Sequence, residues 1–223
     1  MIDPQAYALH HARAQRLSPK PSFLFTHVHQ ELLARMPERP VSSVLHLSSL
    51  TLPERSFDVI TSCLLLHWIS DVQGYLHQIK TRLRPGGLFL GALWGGQTLC
   101  ELRESFLAAE LSLTGGASPR VAPMIQPEDA TLLLGKAGFR DPVVDTEMLT
   151  VTYPSVRDFM YDLRAMGETN ILEDRQKTFS SRRLFEKIEQ VYQETFGTPD
   201  GKIPATFEVI YLTGGEPTPS VAG

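Results

Sequence analysis

The hydrophobic pattern of the chain alternates between two periods. In "SFLFTHVHQELLARM", Phe23, Leu24, Val28, Leu32 and Met36 fall near one helical face after Ser22, and Pro37 and Pro40 close the segment. Two short apolar runs follow, "SSVLHL" and "FDVITSCLL", each with strand character. In "SDVQGYLHQIKTRLRPGG" the helical spacing returns through Val72, Leu76, Ile79 and Leu83, with Ser70 or Asp71 as cap and "RPGG" as stop. "GLFLGALW" reads as a buried strand, and "TLCELRESFLAAELSL" as a helix striped by Leu99, Leu102, Phe106, Ala109 and Leu113. A loop, "TGGASPRVAPM", precedes a short helix ending at Gly138. "PVVDTEMLTVTY" is β-rich, "SVRDFMYDLRAMG" and "SRRLFEKIEQVYQETFG" are helical up to Gly167 and Gly197, and "ATFEVIYLTGG" is a last strand. The alternation predicts a mostly parallel α/β sheet with helices on both faces. Its last two strands, near 143–153 and 205–212, suit an antiparallel edge. One domain over 1–215 and a loose tail over 216–223 are expected.

Composition narrows the classes without selecting one. The 223 residues carry a net charge of -4, with 42% hydrophobic and 21% charged residues. That balance argues against a nucleic-acid binder. The cysteines, Cys63 and Cys100, stand in unrelated contexts, so no disulfide framework or zinc spacing is present and a reducing compartment is expected. No apolar run is long enough to span a membrane. The segment "MIDPQAYALHHARAQRL" lacks a signal-peptide core and reads as surface; Arg13, Arg16 and its histidines give a weaker, presequence-like reading.

The run "LPERSFDVITSCLLLHWISDVQGYLHQIKTRLRPGGLFLGALWGG" resembles the class I S-adenosylmethionine-dependent methyltransferases. The resemblance lies in an ordered series: "LP…SFD", a strand, "HW", a helix, "RPGG" and another strand. "GGASPRVAPM", "LLGKAGF", "MYDLRAMGETN" and "ATFEVIYLTG" resemble a narrower branch. That branch holds bacterial malonyl-carrier-protein methyltransferases and the methyltransferase-like assembly factor of respiratory complex I, associated with arginine hydroxylation. The resemblance implies a Rossmann-like sheet, S-adenosyl-L-methionine as cofactor, and a carrier protein or a complex I subunit as partner. It implies a cytoplasmic place in a bacterium or a mitochondrial one in a eukaryote.

Against that family the chain has a gap. The family's glycine-rich turn follows its first strand, because glycine lets the backbone approach the ligand closely. Here the first glycine is Gly74, and between Val41 and Phe57 the only acidic residue is Glu54. Only nine residues separate Leu47 from Phe57, fewer than a parallel crossover normally needs. The family's second and third strands therefore have no sequence here. The expected sheet is truncated at one edge and keeps the family's strand order 1-4-5-7-6. Such a link reaches about 30 Å, enough to run back along a short strand. An antiparallel or detached "SSVLHL" is the alternative.

Candidate site residues follow from the family positions. Ser62, Cys63, Leu64 and His67 are expected at the cofactor, with His67 and Trp68 framing a pocket mouth or simply packing. Trp94, Thr98, Arg103 and Arg120 are candidates for an acceptor or partner, and Glu168 and Asn170 are similar loop candidates. Thr98 with Glu101 also fits a purely structural capping box. No metal site is expected, because the H-x-H pair His27 and His29 diverges on a helix. Three functions stay open: a methyltransferase whose cofactor binding is impaired, a non-methylating assembly factor that binds a protein partner, and an inactive truncated copy.

Overall fold

A computed structural model describes residues 2–18, 22–49, 51–177 and 180–216. The 216–223 tail thus lies outside the described residues apart from Glu216. The residues group into two compact units. A sheet unit comprises Phe23–Gly95, Met124–Glu147 and Glu208–Gly223; a helical unit comprises Met1–Ser22, Gly96–Pro123 and Met148–Phe207.

Five strands form one sheet: β1 (Val44–Leu47), β2 (Phe57–Cys63), β3 (Leu83–Trp94), β4 (Arg140–Tyr153) and β5 (Ile203–Gly215). Their order is β1-β2-β3-β5-β4. β1 runs parallel to β2, from Val44 opposite Val59 to Leu47 opposite Ser62. β2 runs parallel to β3, and β5 is antiparallel to β3. This is the truncated order expected, with the nine-residue link returning the chain to the start of a parallel neighbour.

In the sheet unit, α2 (Phe23–Ala34) buries Leu24, Val28 and Leu32 and packs on β2 and β3. Side chains alternate along β3. Phe89 and Leu93 join a core with Ile60, Tyr75, Leu76, Ile79, Leu134, Ile210 and Leu212. That core is closed by α3 (Val72–Thr81) and α5 (Pro127–Ala137), which pack together. The cap of α3 is Asp71, which accepts from Gly74 N at 2.8 Å. Gly138, at φ 89, ends α5 in a left-handed turn that a side chain would strain.

In the helical unit, α1 (Pro4–Leu17) packs with α6 (Val156–Met166), and α4 (Cys100–Thr114) with α7 (Arg182–Phe196). The N-terminal segment expected at the surface is a helix that buries only Ala6 and Ala14. Asp3 caps it by accepting from Gln5 N and Ala6 N, each at 3.1 Å, and Pro4 supplies the favoured first position. Ser155 and Ser181 cap α6 and α7 by accepting from Asp158 N and Leu184 N.

Candidate functional site

Five of the eight candidate residues come together at the ends of β2 and β3 in the sheet unit. Ser62 sits between Leu47 of β1 and Gly91 of β3, fully buried, and its Oγ has no hydrogen-bond partner among the described residues. Cys63 follows, and burial pushes its thiol up to about 12. Leu64 donates its N–H to Ala92 O at 2.8 Å and then turns left-handed at φ 48, which ends the strand. A single 3₁₀ turn, Leu66–Trp68, comes next. The His67 ring lies 4.7 Å from Trp68 and 6.2 Å from Trp94, centroid to centroid. Trp94 is buried at the end of β3, so His67, Trp68 and Trp94 form one aromatic wall.

The other three candidates belong to the helical unit. Thr98 is buried before α4. Arg103 donates to Gly96 O and Thr98 O, both at 2.9 Å, and so braces that turn. The capping box read at Thr98 and Glu101 does not form. Leu99 stands at the cap in a left-handed conformation (φ 59) with no side-chain cap bond. The Glu101 carboxylate instead accepts from Thr206 N at 3.1 Å and from the Thr206 hydroxyl. Arg120 is engaged inside its own unit. Its Nε donates to Glu110 at 2.7 Å, and it also donates to Ser180 Oγ at 3.1 Å and to Gln176. Of the two loop candidates, Asn170 donates to Pro119 O at 2.7 Å and accepts from Leu172 N.

Sequence reasoning missed a polar cluster in the sheet unit. His27 on α2 lies 2.9 Å from Glu147 of β4, and the Tyr211 hydroxyl donates to the same carboxylate at 2.8 Å. Arg35 stacks over the Tyr211 ring at 4.0 Å. Burial opposes ionisation of Glu147, but the bonds from His27 and Tyr211 outweigh it and hold the carboxyl below its usual range. His27 and His29 diverge as read: His29 stacks on Phe25 and meets His46, whose Nδ1 lies 2.7 Å from Thr61 Oγ1. No group of three or more metal-ligating side chains occurs among the described residues.

The methyl donor of the resembling family does not fit the end of β1. Beyond Leu47 the chain folds onto α3 instead of making a glycine turn. The Tyr75 hydroxyl donates to Ser49 O at 3.3 Å, and Arg82 Nε to Pro53 O at 3.1 Å. Leu52 packs against the core, and Glu54, the segment's one carboxylate, is exposed. A nucleoside needs close backbone N–H groups and a carboxylate for its ribose. The link has no glycine to bring its backbone close, and its one carboxylate, Glu54, lies seven residues beyond the end of β1.

The family model described as a methyltransferase domain matches residues 2–91. The mitochondrial arginine-hydroxylase NDUFAF5 of Danio rerio is 41% identical over 76% of this chain and 52% of its own length. The Homo sapiens protein of that name is 41% identical over 72% of this chain and 46% of its own. The malonyl-[acyl-carrier protein] O-methyltransferase of Xylella fastidiosa (strain M23) is 40% identical over 75% of this chain and 55% of its own. The chain thus spans about half the length of the curated relatives it matches. No described helix is long and apolar enough to cross a membrane.

Proposed function

Because the chain belongs to the class I methyltransferase-fold family, we propose that it acts as a non-methylating, partner-binding member of that family, an assembly factor rather than a methyl-transfer enzyme. The observation that carries this reading is the link after β1. It leads straight into β2, it contains no glycine, and Tyr75 and Arg82 hold its carbonyls. The partner is a protein: an acyl-carrier protein or a protein carrying an arginine, as the relatives' names state, and the resemblance of the sequence makes a respiratory complex I subunit the candidate for the second. In a eukaryote the place of action is the mitochondrion, and in a bacterium the cytoplasm.

A second reading, methyl transfer with S-adenosylmethionine, is favoured by one feature. The unpartnered Ser62 Oγ is buried at the strand ends where open α/β sheets take ligands. Calorimetric titration separates the two. With S-adenosylmethionine, or with its demethylated product, no binding heat is expected at millimolar ligand. Micromolar binding would restore the enzyme reading. Co-purification with the carrier protein or with the complex I subunit, unchanged by added S-adenosylmethionine, is the matching positive result.

A further inference from the structure

From the open edge of the sheet we infer that the chain self-associates through β1, a second copy supplying the strand that the shortened sheet lacks. The geometry of β1 fixes which groups are available. Ser43 O accepts from Asp58 N at 3.0 Å and from Val59 N at 3.2 Å, so the backbone of Ser43 faces β2. Backbone groups alternate along a strand, so Leu45 and Leu47 also face β2, while the N–H and C=O of Val44 and His46 point to the open side. β1 is the terminal strand of the order, with no described strand beyond it.

Natural edge strands are guarded by charges, prolines or covering elements. Here residues 40–53 hold no Asp, Glu, Lys or Arg, and their prolines stand only at positions 40 and 53. That absence selects the occupant. Two copies of β1 meet about a twofold axis without setting like charges against each other. With the axis at Leu45, Val44 of one copy faces His46 of the other, and both residues of each pair present backbone groups outward. This gives two hydrogen-bonded pairs, about four backbone bonds in all. Phe25, 38% exposed, stacks on His29, which meets His46 on the exposed part of β1, so an apolar shoulder flanks the strand and adds buried surface. A four-residue pairing sets a weak, concentration-dependent dimer rather than an obligate one. This inference is independent of whether the chain binds a methyl donor.

The test is sedimentation of the full chain from low to high micromolar concentration, with amide hydrogen exchange at both ends of that range. The mass is expected to rise towards twice that of the monomer. The amides of Val44 and His46 are expected to gain roughly tenfold protection at the high end. The amides of Leu45 and Leu47, already bonded to β2, serve as the internal control and stay unchanged. His46→Pro, which removes one outward N–H, is expected to shift the equilibrium to monomer, while His46→Lys at low salt weakens it less. Exchange in the wild-type chain carries the test if the proline variant fails to fold. A monomer at every concentration, or concentration-independent exchange at Val44 and His46, overturns the inference. A dimer that forms with those two amides still exposed also overturns it, because another surface then joins the copies.

Discussion

The sharpest stability prediction concerns Arg120, which the sequence offers as a free cation on a loop and the structure places in a nearly closed pair. The side chains of Arg120 and Glu110 are only 13% and 6% exposed. The Glu110 carboxylate accepts from Arg120 Nε and from Ser118 N, each at 2.7 Å, and the guanidinium lies 5.4 Å from the Phe106 centroid. Arg120→Ala leaves a buried carboxylate with a single backbone donor. Losing one partner of such a pair costs about 3 to 5 kcal/mol. For a chain of this length that corresponds to roughly a ten-degree fall in apparent Tm. Glu110→Gln is expected to cost less, because the longer arginine side chain can carry its charge towards water. Glu110→Met with Arg120→Met is expected to recover most of the single-variant loss, since a packed apolar pair of similar volume replaces the ions. Urea unfolding followed by circular dichroism, with thermal melts, measures all of these. An Arg120→Ala protein within about 0.5 kcal/mol of wild type, with no coupling to Glu110, would refute the reasoning and return Arg120 to the candidates for an acceptor or partner.

Three further outcomes follow from single residues. With its thiol pushed up to about 12, Cys63 is expected to react with iodoacetamide at pH 8 roughly 30-fold more slowly than an ordinary cysteine, the smaller thiolate fraction being partly offset by higher nucleophilicity, as peptide mapping of the labelled protein will read. Leu64 holds a left-handed backbone at φ 48, so Leu64→Gly is expected to be more stable than Leu64→Ala by about 1 kcal/mol in the same urea assay, both having lost the side chain. Glu147 has a folded value below its unfolded one, so the stability it contributes is present above the unfolded value and is lost as pH falls through the folded one. Glu147→Gln is therefore expected to flatten the acid limb of the stability profile below about pH 4.5, and an unchanged acid limb would exclude that carboxylate as its source.

How far the sequence could be read depends on the range of the interaction involved. Local signals worked. Gly138 and Gly167 end their helices at positive φ, and Asp71, Ser155 and Ser181 cap theirs, because each motif closes within a turn or so of the chain. The same kind of signal was present and undervalued at Asp3-Pro4, where a cap and a first-position proline start α1 in a stretch whose polar residues suggested surface. At Thr98 a local signal misled. The capping box needs an extended residue at the cap, but Leu99 turns left-handed there, and Glu101 is drawn to Thr206, 105 residues away. The His27, Glu147 and Tyr211 cluster was invisible for a related reason. Its members are ordinary residues on α2, β4 and β5, and only the sheet order β3-β5-β4 brings them together.

The link after β1 stands between these cases, and its consequences run furthest. Counting residues from Leu47 to Phe57 was enough to show that no crossover helix could fit, but it left the strand's direction open, and the structure settles it as parallel, from Val44–Val59 to Leu47–Ser62. What the count could not reveal is how a linker of nine residues with no glycine is stabilised. Tyr75 and Arg82 answer this, since each donates a side-chain bond to a carbonyl that would otherwise be stranded between strand and helix. Arg82 is held in turn, because its own carbonyl accepts from Phe57 N at 2.8 Å, so the end of the link and the end of α3 are joined twice. These bonds tie the described part of the link to α3 and to the start of β2. With Leu52 packed against the core, the link is thus fixed at both ends by long-range contacts that no count of its residues could predict.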